Sequence, residues 1–419
     1  LIGFVPLTLL AQSPRNSLAY GSFIESTNPG AQALGHALTA YHDSIQIIGD
    51  NPAEIYGFPQ VIAFFSFESH STRWWAEDQE ITNVGGGFGY FSLALPLGQS
   101  AGALLSVEPI TDLSTLMNYN ADSTTNFSMA QGGGIWSMAV AFGYRLNKMT
   151  SLGMRWRYLY GLFDRREVLN YPNTRYRYNI YQLKGRIAGQ NLQLGIQYAF
   201  TPRFRLGGTF EWGLSTPVFE GNAYDYDIPR SASNDDYLEK WRYFQAVGQP
   251  GGVVDTIPYN EVLEDWPWNV EIGFAYRRGN GGHFLLALSQ RYFPQEAFRH
   301  SEIFRLPEGW RGMSSGALKF GYYQKARDEG SRFWLDRLSW RVGFIARNLY
   351  VTPRSNDYVR STLMAVGFSL PAKHHRYRIS PTFVYEHWQA ADGLPEESRW
   401  SLEVGLYLQE KWFGKFRRR

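Results

Sequence analysis

The chain has no cysteine among its 419 residues. That excludes a disulfide framework, thiol chemistry and thiolate metal sites. It also lacks any run of about 18 apolar residues, so a membrane-spanning helix is excluded. A large excess of one charge is missing too. Lys and Arg number 41 against 38 Asp and Glu, a net charge of +3, which argues against nucleic acid as a partner. Enzyme signatures are absent: no His-Glu-x-x-His, no phosphate-binding glycine loop and no Gly-x-Ser-x-Gly elbow. The glycine-rich VGGGFGYF leads into a strand pattern, not a helix. His374-His375 sits on a basic turn, and adjacent side chains of extended chain diverge, so it reads as a solvated turn, not a metal site. The chain reads as a non-enzyme without a cofactor.

Aromatic residues are what it has in quantity: 27 Tyr, 28 Phe and 14 Trp. Yet the mean hydropathy is −0.34. The two are reconciled by alternation. In GIWSMAVAFGYRL, Trp136, Met138, Val140, Phe142, Tyr144 and Leu146 form one series, and Ile135, Ser137, Ala139, Ala141, Gly143 and Arg145 the other. Successive strand side chains point to opposite faces, so one face is large and apolar and the other small or polar. SLGMRWRYLYGLF, NLQLGIQYAF and SLEVGLYLQ repeat the pattern. A soluble sandwich would need a second layer to cover so many apolar faces. A membrane barrel turns them to lipid and its polar face to a lumen.

The fold class predicted is all-β: a membrane-spanning antiparallel barrel of about fourteen strands. The strands are placed at 60–70, 86–97, 101–112, 134–146, 150–164, 191–200, 204–216, 267–277, 283–292, 312–323, 337–349, 360–370, 376–388 and 398–408. Short turns at 98–100, 147–149, 201–203, 278–282 and 371–375 alternate with longer connections at 71–85, 113–133, 165–190, 217–266, 293–311, 350–359 and 389–397. That asymmetry suits short periplasmic turns and longer outer loops in a bacterial outer membrane. The connection 324–336 is long for a turn.

Four regions follow. Residues 1–12, in the apolar LIGFVPLTLLAQS, read as a signal-peptide remnant with cleavage near Ala11, or as an apolar strand or plug piece. Residues 13–58 lack the strand pattern and form a candidate plug, 59–410 the barrel, and 411–419 a basic periplasmic tail. Arg155, Arg157, Arg205, Glu211, Glu271, Arg341 and Glu386 fall on the polar face and are expected to line the lumen. An Arg turned to lipid at the midplane costs about 2–4 kcal/mol. Between 217 and 266, carboxylates including Asp225 and Glu261 read either as a place where cations bridge to anionic lipopolysaccharide or as a solvated loop. Tyr237, Trp241 and Phe244 in the same loop are candidates for an apolar landing site over the mouth. In the third strand, Pro109 cannot donate to a ladder and Gly102 weakens it, so pairing is expected to break there or the strand to end.

The segment GAQALGHALTAYHDSIQIIGDNPAEIYG resembles the N-terminal hatch of the outer-membrane long-chain fatty-acid and hydrocarbon transporter family, the FadL type. The matching pieces are Gly30-Ala31, Ala33-Leu34-Gly35, Ala40, Asp43 and above all Asn51-Pro52-Ala53. NLQLGIQYAFTPRFRLGGTFEWGLSTPVFEG and SLEVGLYLQEKWF also resemble family strands. The chain departs at His36-Ala37, where the family usually has Gly, and at Glu54-Ile55. The resemblance implies passive uptake of a hydrophobic small molecule through a lumen pocket, a hatch tip at Asn51-Pro52-Ala53, and a lateral opening where the third strand kinks near Gly102 and Pro109. Related barrels serve as accessory subunits in protein secretion, so a non-transporting barrel anchoring a protein partner stays open as the alternative. Expected partners are a hydrophobic ligand, outer-membrane lipid and lipopolysaccharide, and a possible protein.

Overall fold

A computed structural model describes residues 13–43, 50–76, 79–120, 126–170, 176–229, 253–264, 266–279, 281–294, 298, 301, 303–304, 306–327, 333–353, 358–371, 377–391 and 394–410. The proposed signal remnant 1–12, the tail 411–419, His374-His375 and Tyr237, Trp241 and Phe244 lie outside them.

Among the described residues, fourteen antiparallel strands close into a barrel. They are β1 (Val61–Ala76), β2 (Gln79–Pro96), β3 (Ala101–Asp112), β4 (Asn126–Arg145), β5 (Thr150–Asn170), β6 (Tyr176–Ala199), β7 (Phe204–Pro229), β8 (Trp268–Arg277), β9 (Gly282–Tyr292), β10 (Ser315–Gln324), β11 (Ser339–Asn348), β12 (Arg360–Pro371), β13 (Tyr377–Trp388) and β14 (Glu397–Glu410). The ring is closed by β14 against β1, from Glu397↔Trp74 to Glu410↔Val61. The wall has the two predicted faces. Along β12, Met364 and Val366 point out and are 57% and 40% exposed, while Leu363 and Ala365 point in and are buried. No described helix is long and apolar enough to cross a membrane, and the crossing is made by strands.

Much of the predicted loop sequence is strand. The connections expected at 113–133, 165–190 and 217–266 hold the outer halves of β4, β5, β6 and β7, a short strand Thr115–Asn120 on β4, and a strand Val253–Val262 on β7. Asp225 and Glu261 therefore sit in ladders. The cause is a change of outer environment. Above the apolar band the outward residues are Lys184, Arg186 and Glu220, which are exposed. Arg186 and Glu220 pair across β6 and β7 at 2.6 Å. Backbone pairing continues there, but the apolar alternation that reveals a strand in sequence is gone.

The N-terminal residues lie against the inward face of the wall. They contain three short turns of helix: Pro14–Ser17, Pro29–Gln32 and Pro52–Glu54. Each starts at Pro with a capping Ser13, Asn28 or Asn51 accepting from a backbone N–H, the pairing expected of an N-cap followed by Pro. The segment begins at the outer end, where Ser13 N–H donates to Ser114. It reaches the short-turn end at Asn51–Ile55.

The wall makes room for it with glycine. Gly102, Gly143, Gly153 and Gly195 pair directly across β3, β4, β5 and β6. A Cβ at Gly102 would stand 2.8 Å from the Ile55 carbonyl oxygen, and one at Gly143 2.6 Å from that of Pro52. One at Gly321 on β10 would stand 2.5 Å from the Leu34 carbonyl. The small residues of the second face are thus clearance for a second layer of backbone.

Candidate functional site

The lumen is layered. At the outer end an apolar cluster joins the N-terminal segment (Leu18, Tyr20), the strand extensions (Phe163, Phe219) and the outer connections (Phe298, Phe304). Tyr20 packs edge-on to Phe298 and Phe304, with centroids 4.8 and 5.2 Å apart. The Tyr350 hydroxyl, in the same cluster, donates to the carbonyls of Leu18 and Gly21. Large aromatic areas held this way dominate local packing energy.

Below the cluster the lumen is charged. Arg157 Nη1 meets Glu211 at 2.5 Å, and its Nη2 lies 3.6 Å from Glu108. Arg155, one inward position away, is 3% exposed. Lys319 lies between Glu271 at 2.7 Å and Glu25 at 2.8 Å. Arg347 binds Glu386 at 2.5 Å and approaches Glu25 at 4.0 Å. Arg341 is 1% exposed and stacks over Tyr323. Arg205 sits lower, half-buried near the short-turn end. A cavity of about 90 Å³ runs beside the segment, lined by the charged Arg15, Glu25, Glu68, Arg347 and Glu403 and by the apolar Phe23, Ile24, Ile345, Leu363, Val384 and Trp388. Its lining mixes charged and apolar groups.

Glu25 ties the N-terminal segment to this layer. Burial alone would raise its pKa, but Lys319, Arg291 and Arg347 outweigh that and hold it well below the usual carboxylate range. Sequence reading missed Glu25 and Lys319. Lys319 was detectable, since in GALKF it opposes Leu318 and Phe320. Glu25 stands outside any strand pattern and carries no such signal.

At the short-turn end, Asn51 is fully buried. Its Oδ1 accepts from Ala53 N–H, while Nδ2 donates to the carbonyls of Thr39 and Ile196. One side chain therefore joins the turn, the segment and the wall, which accounts for Asn ahead of Pro52-Ala53. His36, where the resembled family has Gly, adopts φ +52°, a conformation uncommon for a non-glycine residue. His42 stacks on Tyr56 with centroids 4.3 Å apart. Burial and then the Arg205 charge lower its pKa to about 4. A His depressed below its unfolded value stabilises the fold above about pH 6.5 and loses that contribution as pH falls towards 4. Acidification from pH 7 to 4.5 is therefore expected to lower the amide protection factors (exchange rates corrected for the intrinsic effect of pH) in residues 34–42 and 50–58, and His42→Gln should remove the added pH dependence. Equal pH dependence in both proteins would refute the assignment.

The wall is interrupted at one side. β2 pairs with β3 from Pro96↔Gly102 to Phe91↔Val107 and no further. Among the described residues, nothing pairs with the β3-facing edge of β2 from Gln79 to Tyr90. β3 stays on β4, with a register shift between Pro109 and Thr111. Its vacated edge is taken by the short strand Ser22–Phe23, as Ser22↔Asp112 and Phe23↔Thr111, and Ile24 N–H donates to Ile110 at 2.9 Å. Pro109 lies at this interruption. Gly102 does not: it pairs on both sides, and its role is clearance for Ile55.

The architecture is that of an outer-membrane transmembrane β-barrel with a FadL-like fold. The CymD monoaromatic hydrocarbon channel superimposes with a TM-score of 0.62 at 11% identity, covering 93% of this chain and 99% of that one. A Pseudomonas aeruginosa FadL homologue gives 0.59 at 10%, covering 92% and 99%. The Pseudomonas putida toluene transporter TodX gives 0.59 at 11%, covering 96% and 100%. A family model described as BamG matches residues 10–215. No curated protein matches.

Proposed function

We propose that the protein is a passive outer-membrane channel for hydrophobic small molecules, with residues 13–58 as its hatch and the break between β2 and β3 as a lateral opening into the membrane. The observation that carries this is the end of the β2–β3 ladder at Phe91↔Val107. A lipid-exposed strand edge inside a bilayer is costly, so an interruption in a barrel wall marks a cavity or passage. The outer aromatic cluster abuts the break, because Ile110 and Phe23 pack against it. A route along this cluster from mouth to opening would avoid the charged layer. Monoaromatic hydrocarbons and long-chain fatty acids are the classes that the structural neighbours suggest.

The alternative is a non-transporting barrel that anchors a protein partner. It is favoured by the packed outer mouth and the charged lumen, and by the BamG match over the N-terminal half. Uptake of labelled toluene and oleate into proteoliposomes separates the two. A channel gives uptake above that of empty vesicles, and Pro109→Val, which returns an N–H to the ladder, should slow it severalfold with the barrel intact. No uptake of either probe, with co-purification of a defined polypeptide, selects the anchor.

A further inference from the structure

The edge of β3 above Val107 has two competing claimants. One is the strap Ser22-Phe23-Ile24, which holds it now. The other is β2, whose Gly85–Tyr90 stretch runs on from the last ladder pair in the same direction. Continuing the register from Phe91↔Val107 brings Gly87 opposite Thr111, with a bulge on each strand: at Ser66/Phe67 opposite Gly89 on β2, and at Pro109/Thr111 on β3. The strap also runs antiparallel to β3, so either can occupy the edge but not both.

Neither claim is strong. Pro109 withholds a donor from any partner, and the VGGGFG run of β2 offers few side chains to fix a register. The strap makes only two paired residues. It is held by side chains instead. The Phe23 ring lies 5.2 Å from Tyr350 and under Arg291 at 4.2 Å. Glu25 binds Lys319. Anything that pulls Phe23 out of the outer aromatic cluster loosens the strap.

We infer that the N-terminal strap and β2 exchange on the β3 edge. With the strap seated the wall stays parted, and with the strap withdrawn β2 zips onto Glu108–Asp112 and closes it. A hydrophobic solute entering the aromatic cluster competes with Phe23 and so acts on the same element. The exchange follows from the pairing pattern alone; its bearing on passage rests on the channel reading above.

The chain has no cysteine, so disulfide trapping starts from a clean background. A triple variant carries Phe23→Cys, Gly87→Cys and Thr111→Cys. Position 111 must choose, and the joined peptides are read by mass spectrometry. Phe23→Cys removes the ring that helps seat the strap, while the Glu25–Lys319 ion pair remains, so both the 23–111 and the 87–111 links are expected at rest. Adding Glu25→Gln is expected to raise the ratio of 87–111 to 23–111 at least tenfold. In a chain lacking residues 13–25, otherwise unsubstituted, amide exchange across Gly85–Tyr90 should slow as the wall closes. That measurement needs no cysteine at Gly87. A 23–111 link unaffected by Glu25→Gln, together with unchanged exchange across Gly85–Tyr90, overturns the inference. Uptake is then read on each trapped pair. Toluene passing the 23–111 form but not the 87–111 form supports both readings. Exchange of links with no uptake in either form upholds the exchange and overturns the channel.

Discussion

Replacing Gly153 with valine (Gly153→Val) is expected to lift the Asn51–Ile55 turn off the wall and raise single-channel conductance in planar bilayers. The reason is geometric. Gly153 lies in the middle of the paired row Gly102, Gly143, Gly153 and Gly195, and a Cβ there would run into the Pro52 carbonyl and the Ala53 nitrogen. Both are backbone, so no rotamer change relieves the contact. Overpacking of this kind costs about 1–3 kcal/mol when side chains can shift, and here the whole turn must move. It would also lose the Asn51 bonds to Thr39 and Ile196. The wall itself has no need of the glycine, since Val is at home in a strand. A well-folded, heat-modifiable Gly153→Val barrel with unchanged conductance and unchanged protection of residues 50–58 would show that the segment does not obstruct the lumen.

The second large effect concerns Lys319. Lys319→Met leaves Glu25 and Glu271 facing each other with their shared cation gone. Lys319 is 3% exposed and Glu271 8%, so water cannot easily replace it. Removing one member of a buried ionic group typically costs about 3–5 kcal/mol, because an uncompensated charge stays behind. The urea midpoint of the detergent-solubilised barrel should fall accordingly. Adding Glu271→Gln to Lys319→Met should recover most of the loss, because Glu25 keeps Arg291 and Arg347 and a neutral group can replace a buried ion pair at little net cost. If this double variant were no better than Lys319→Met alone, charge would not be the cause.

The sequence revealed the wall more fully than its contents. β3 was placed residue for residue at 101–112, and each of the other wall strands overlaps its predicted span, because lipid on one side enforces a strict alternation that survives in any reading of the chain. The outer halves of β4 to β7 escaped because Lys184, Arg186 and Glu220 meet water there and the alternation stops mattering. Inside, the polar face named Arg157 and Glu211, which pair with each other, and Glu271, but not Glu108, Lys319 or Glu25, which complete the layer. A partner such as Glu108 or Glu25 is set by register and by a segment distant in sequence, and neither is written locally. The glycines of the polar face were visible as a pattern. What they make room for became apparent only with the second layer in place.

The ring closes at the seam between β14 and β1, which joins residues 397–410 to residues 61–74. That seam cannot form before the last strand has been made. The inner segment directly precedes β1 and is therefore made before any strand of the ring. It also spans the lumen from the outer apolar cluster to the short-turn end, so threading it into a finished ring would mean drawing Arg15, Tyr20 and Glu25 past the charged layer. Biogenesis is simpler in the other order, with the wall curling round an insert already in position. The glycine row then acts as a mould line during assembly, and a side chain placed there would be felt first as a delay in ring closure and only later as a change in the mature barrel.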